Sequence, residues 1–292
     1  MGTYRKILLA TDFSEQARKA AAEAVRLARR HGARLHVAYV EVIALQGAGT
    51  FTDPPIPDYI RSMNQLVPGA DLDLNYKDTV VKVVRDRTEA AGILRYAAEQ
   101  AVDLIVVGTH GRKAMSEMIL GSVAQAVARD AAVPVLVVGT RATASGVGCV
   151  LAPVDFSLPS AAALDQAARM ASQRDARLIA LHVVDFGRMP LQRELDLAEH
   201  ERRARAQLQD FIGGAGLPAS TETMVTVGPA PEEIVRLAAK FNAGLIVVAP
   251  SARTAVERIT MGSVCRAVIR MAPCPVLVHR GPVRAAEHNA AA

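Results

Sequence analysis

The chain has 292 residues, 51% of them hydrophobic, with no Trp, few other aromatics and a formal charge of +5. That length suits two domains, each able to bury its own core, and so much Ala, Val, Leu and Ile suits helices packed on a parallel sheet. No apolar run reaches the length of a membrane span, and the arginines are interleaved with acids, as in Glu199-His-Glu-Arg-Arg-Ala-Arg205, rather than set in a basic stripe with aromatics; neither a membrane nor a nucleic-acid partner is expected.

The opening residues MGTYRKILLATDFSEQ carry no apolar leader segment, and Lys6 stands where myristoylation of Gly2 would want Ser or Thr. The first predicted strand, Lys6–Thr11, ends at Asp12. A helix from Ser14 to His31 follows, with Ala17, Ala20, Ala21, Ala24, Val25, Leu27 and Ala28 on one stripe. Ala33–Val40 reads as the second strand. Residues 46–69 hold several Gly and Pro and one short helical pattern, Asp58–Leu66, either a cover over a site or a variable surface connection. Then come a strand at Val80–Val84, a helix from Glu89 to Gln100 burying Ile93, Leu94 and Ala97, a strand at Asp103–Gly108, a helix from Ser122 to Ala131 and a strand at Val133–Val138. Apolar strands alternating with amphipathic helices predict a parallel, doubly wound sheet.

The whole unit then recurs. Ile7-Leu-Leu-Ala-Thr-Asp12-Phe13-Ser14 returns as Val150-Leu-Ala-Pro-Val-Asp155-Phe156-Ser157, Leu104-Ile-Val-Val as Leu245-Ile-Val-Val, and Val133-Pro134-Val-Leu-Val as Cys274-Pro275-Val-Leu-Val. A period this long marks a domain duplication, not a solenoid. The reading is a first domain over residues 1–140, a linker over 141–148 spanning at most ~26 Å, a second domain over 149–281 and a tail over 282–292. Strands of the second domain are predicted at Cys149–Val154, Arg177–Val183, Thr221–Val227, Leu245–Ala249 and Pro275–His279, with a long helix at Leu191–Ile212. Each half ends in a short apolar strand expected at a sheet edge. Such an edge recruits another strand, so the halves are expected to pair through these strands as an intrachain pseudo-dimer, with a further homodimer left open.

The chemistry concentrates after the fourth strand, where Gly108-x2-Gly111-x9-Gly121-Ser122 links the strand to a helix. Gly108 and Gly111 are read as residues of a sharp turn, and Gly121-Ser122 as the helix start. A strand, a glycine loop and a helix N-terminus cradle anions, because unpaired backbone N–H groups and the helix dipole meet there. The simpler reading is that the glycines only serve tight turns. The spacing is neither a Walker loop nor a dinucleotide fingerprint. Asp12, at the end of the first strand, is suited to ribose hydroxyls or a hydrated metal ion, or merely to an Asx turn leading into Ser14. Cys149, Cys265 and Cys274 are odd in number and follow no metal or redox spacing, and the histidines form no paired ligand set. No metal cluster is expected, and a reducing cytoplasm is.

The loop resembles that of the universal stress protein family, as does the run GTHGRKAMSEMILGSVAQAVARDAAVPVLVV; the resemblance covers nearly the whole chain, twice. It implies two tandem α/β domains, each a five-stranded parallel sheet flanked by helices, Rossmann-like and of the adenine nucleotide alpha hydrolase type. It implies ATP as cofactor, with Mg held through the phosphates and Asp12. Thr11, Asp12 and Val40 would lie beside ribose and adenine, Val40 through its backbone. Gly108, His110, Gly111, Gly121, Ser122 and Val123 would surround the phosphates. Two departures stand out. In the first half Arg85-Asp86-Arg87 replaces the family's Gly and Pro after the third strand. In the second half Gly228-Pro229 is kept, but the loop reads Ala249-Pro250-Ser-Ala252 before Gly262-Ser263, so Asp155, Gly262 and Ser263 are read as a vestigial site. A methyl blocks close approach of phosphate to backbone, and Pro removes a donor. The expected function is an ATP-binding stress or signalling protein; a nucleotide-independent dimeric scaffold and a slow ATPase are the alternatives. No catalytic residue is read from the sequence.

Overall fold

The computed structural model describes residues 4–43, 78–109, 120–142, 148–185, 197–217, 220–250 and 261–279. In the first half these residues form β1 (Lys6–Ala10), α1 (Glu15–His31), β2 (Arg34–Val42), β3 (Thr79–Asp86), α2 (Glu89–Glu99), β4 (Leu104–Gly108), α3 (Ser122–Asp130) and β5 (Val135–Val138). The second half gives β6 (Cys149–Pro153), α4 (Leu158–Arg174), β7 (Arg177–Val184), α5 (Leu197–Gly214), β8 (Glu222–Val227), α6 (Ala230–Lys240), β9 (Ala243–Val248), α7 (Ser263–Met271) and β10 (Val276–Val278). Each predicted strand is present, with ends that move by up to two residues. The short pattern at Asp58–Leu66 and residues 191–196 of the predicted long helix lie outside the described residues.

The strands make one ten-stranded sheet in the order β3-β2-β1-β4-β5-β10-β9-β6-β7-β8. Within each half every pairing is parallel, and the order 3-2-1-4-5 is that of a doubly wound nucleotide-binding fold. The halves meet through β5 and β10, which pair antiparallel with Val135 opposite Val278, Leu136 opposite Leu277 and Val137 opposite Val276. The intrachain pseudo-dimer expected from the two terminal strands is therefore present, and an approximate two-fold axis passes through that ladder.

Packing follows from strand alternation. Ile7, Leu9, Val106, Leu136 and Leu277 point to one face with α1, α4 and α5; Leu8, Ile105, Val135, Val137 and Val276 point to the other with α2, α3, α6 and α7. Alanines let α1 lie close on the sheet: Ala20, Ala21 and Ala24 are wholly buried. Its ends are fixed by the Ser14 hydroxyl, which accepts from the Ala17 N–H at 3.2 Å, and by Gly32 in the left-handed conformation at φ 60°. The same devices frame α4, with Ser157 at its start and Asp175 at its end.

Because the sheet runs unbroken through β5–β10, the halves are predicted to melt together. Leu136→Ala, at a position 1% exposed, is expected to cost about 3 kcal/mol, roughly 6 to 9 °C in the unfolding midpoint. Calorimetry should still show one transition. Two resolved transitions, one unmoved by the substitution, would contradict a shared core.

Candidate functional site

Strand order reverses between β1 and β4, so the crevice of the first domain opens at their carboxyl ends. Thr11 and Asp12 leave β1 there, and Gly108 and Thr109 leave β4. β2 supplies the third wall. Its pairing with β1 ends at Ala38, with the Thr11 N–H donating to the Ala38 carbonyl at 3.0 Å. Val40, Glu41 and Val42 run beyond that point and pair with β3 alone. The Val40 side chain is buried under α2, where a Cβ on Gly92 would come within 2.7 Å of it. The backbone of Val40, not its side chain, is what the strand can offer to the crevice.

The two ends of the glycine loop are brought together. Thr109 is 2% exposed; its N–H donates to the Val138 carbonyl at 3.1 Å, and its own carbonyl accepts from the Gly121 N–H at 2.8 Å. This clamp sets the start of α3 beside the end of β4. His110 and Gly111 lie outside the described residues, as does Lys113. Gly121 is the N-cap of α3 and provides no side-chain cap, so the first-turn N–H groups rely on something else. Ser122 is exposed there and Val123 half-buried.

The turn reading of Gly108 is corrected by the backbone, while Gly121 starts the helix as expected. Gly108 is a strand residue paired with Val138, and it is absent from the positive-φ residues. Gly121 has φ −59° and ψ 142°, open to any residue. A Cβ at 108 would meet the Gln16 carbonyl of α1 at 3.4 Å, ordinary van der Waals contact, so the strand end lies directly against α1. The gap between β4 and the first turn of α1 is one methyl wide.

Asp12 forms the Asx turn foreseen as one of its two roles, accepting the Ser14 N–H on Oδ1 at 3.0 Å. Between them Phe13 is held at φ 63°, a conformation that costs a non-glycine residue about 1 kcal/mol, and its ring stacks on Tyr39 at 5.3 Å. Sequence reasoning missed this aromatic stack. Its signal was the triplet Asp-Phe-Ser, repeated at 155–157, where Phe156 has φ 62° and packs on His182 at 4.3 Å.

Arg85-Asp86-Arg87 builds the outer rim from ion pairs. Arg85 meets Glu41 at 2.9 Å; Arg95 meets Asp86 at 2.9 Å and also donates to the Arg85 carbonyl at 2.9 Å. Asp86 is held below the usual carboxylate range by Arg95 and by the Arg87 N–H. Among the described residues no group of three or more His, Cys, Asp or Glu is placed to hold a metal ion, and no helix is long and apolar enough to cross a membrane.

Comparison with known proteins places this geometry. The model of the universal stress protein family matches the chain twice, over residues 3–139 and 148–280. The chain belongs to the universal stress protein family. A universal stress protein of Methanocaldococcus jannaschii is 35% identical over 141 residues, which is 46% of this chain and 82% of that protein. A solved universal stress protein of Archaeoglobus fulgidus superposes with a TM-score of 0.65 at 22% identity, covering 96% of this chain and 98% of its own. A Pseudomonas aeruginosa protein of unknown function gives 0.69 at 19% identity, over 96% and 93% of the two chains. At those identities the structures speak for the fold alone.

The second universal stress protein domain repeats the frame and changes the lining. Asp155 Oδ1 accepts the Ser157 N–H at 3.1 Å, and Gly262 starts α7 at φ −54° and ψ 150°, nearly the geometry of Gly121. Ser263 is exposed, like Ser122. Yet Ala249 stands where Gly108 stands and Pro250 where Thr109 does, so this domain carries a methyl on the strand end and lacks the amide that Thr109 directs to β5. Gly228 keeps the third-strand turn at φ 146°, and a Cβ there would strike Glu233 at 2.9 Å.

The turn and the charge of Asp12 can be separated. Asp12→Asn keeps an oxygen for the Ser14 N–H and is expected to leave the unfolding midpoint within about 1 °C, whereas Asp12→Ala should cost about 1 kcal/mol. Equal losses in thermal denaturation without ligand would show that the charge itself holds the turn.

Proposed function

We propose that the first domain is an adenine nucleotide site, with ATP as ligand, and that the chain acts as a nucleotide-binding stress or signalling protein of the cytoplasm. The observation that carries this is the start of α3, an uncapped helix N-terminus clamped beside a strand end that lacks a side chain. Phosphates suit that place, because backbone N–H groups and the helix dipole stabilise negative charge without a counter-ion. In this reading Gly108, Gly121, Ser122 and Val123, with His110 and Gly111 from the loop, surround the phosphates. Thr11 and Asp12 face the ribose, and the backbone of Val40 faces adenine. The residues fit Mg only through phosphate oxygens and the carboxylate of Asp12, already engaged in its turn; such an ion would screen the phosphate charge.

The second domain, with Ala249 and Pro250 at its strand end, is proposed to be a degenerate copy that binds no nucleotide tightly. Binding, not catalysis, is the proposed role, since phosphoryl transfer depends on charge positioned around the reacting phosphate and the described part of the site offers mainly backbone donors. The unbroken sheet favours one other reading, a nucleotide-independent scaffold.

Gly121→Val tests the assignment cleanly, because the backbone at 121 accepts valine and, in this reading, the added side chain would crowd the phosphates. Calorimetric titration should show ATP binding lost in Gly121→Val and retained in Gly262→Val, with both variants folded. Equal loss from both would overturn the one-site claim, and no binding by the unsubstituted protein would favour the scaffold. Hydrolysis should run below roughly 1 per second, the lower end for kinases; faster turnover in a phosphate-release assay would make the protein an enzyme.

A further inference from the structure

The interface between the domains has a helix layer above β5–β10, and its polar contacts are not the same on the two sides of the approximate two-fold axis. The helices α1 and α4 are each 17 residues long, with left-handed C-caps at Gly32 and Asp175. Glu23 therefore corresponds to Gln166, Arg26 to Arg169, and His31 to Arg174. The local contact is conserved: Arg26 Nε donates to Glu23 at 2.8 Å, and Arg169 Nε donates to Gln166 at 3.1 Å.

Across the axis the two contacts diverge. On one side Arg174 of α4 meets Glu23 of α1 at 3.6 Å, with side chains 6% and 5% exposed. The Arg174 guanidinium has little else: Nη1 reaches the Gly244 carbonyl at 3.4 Å, while Nε and Nη2 have no hydrogen-bond partner. Burial pulls its pKa down to about 10, with Glu23 opposing. On the other side the contact is neutral. Gln166 Nε2 donates to the Tyr4 hydroxyl at 2.8 Å, and the Tyr4 ring lies edge-on to His31 at 5.2 Å between centroids. Tyr4 is 3% exposed, and burial pushes its phenol up to about 12.

We infer that these residues form a partner code, in which the second domain accepts a first domain and not a second copy of itself. Pairing two second domains through the same strands would set Arg174 against Gln166 on both sides and bury two guanidinium groups with no carboxylate. An uncompensated buried charge is among the most destabilising features a protein can carry. Pairing two first domains would set Glu23 against His31 twice. Only the cross combination gives one charged pair and one neutral pair. The short linker already favours pairing within the chain; the code makes that pairing the complementary one. Each sheet thus joins one glycine-loop domain to one Ala249-Pro250 domain.

The code can be rewritten in the full-length chain. Glu23→Gln with His31→Arg gives the first domain the second domain's residues and imitates the forbidden pairing; its unfolding midpoint should fall by about 5 to 10 °C, or the protein should fail to fold. Adding Gln166→Glu and Arg174→His restores the cross combination in mirror image and should recover at least half of the loss, or recover soluble folded protein. A first variant as stable as the unsubstituted chain would overturn the inference, and so would a fourfold variant no better than the first.

Discussion

Three residue pairs, Val135–Val278, Leu136–Leu277 and Val137–Val276, join two parallel sheets whose strands run in opposite directions. A parallel sheet ends in an edge of unpaired N–H and C=O groups, and these short apolar strands would be a liability if left open. Pairing them with each other removes two edges at once. It also brings α1 and α4 near each other on one face, where Arg174 meets Glu23 and Gln166 meets Tyr4. At the far ends, β3 and β8 remain as the outer edges.

The duplication gave both domains the same scaffold for a site. The Asx turns at Asp12 and Asp155, the strained Phe13 and Phe156, and the uncapped helix starts at Gly121 and Gly262 agree closely in geometry. The differences lie at the ends of β4 and β9. A hydrogen at Gly108 becomes a methyl at Ala249, and an amide at Thr109 becomes the ring of Pro250. Helix caps and strand pairing stabilise a domain whether or not it binds anything.

Strand and helix positions were legible because each element has a strong period: Leu104–Val107 is continuously apolar, and the alanine stripe of α1 repeats every third or fourth residue. The strand order and the β5–β10 joint were legible once the repeat was seen, since a parallel unit with a short apolar last strand leaves few other arrangements. The turn role of Gly108 was misread, while Gly121 does start a helix. Gly108 ends a strand paired with Val138 and packs toward Gln16 of α1, nearly a hundred residues earlier, rather than making a turn. The Phe13–Tyr39 stack and the Glu23–Arg174 pair were invisible for a similar cause, since they depend on contacts between distant elements that local pattern does not encode. The rim at Arg85–Arg87 was flagged as a departure, and its lattice of ion pairs with Glu41 and Arg95 became apparent only in three dimensions.

The central claim is one nucleotide site per chain, in the domain with the glycine loop. The most direct measurement is the adenine nucleotide released by heat from the purified full-length protein, quantified against protein concentration after saturation with ATP and removal of the free ligand. The account predicts close to one equivalent per chain. Two equivalents would contradict the degenerate reading of the second domain, and none would contradict the site itself.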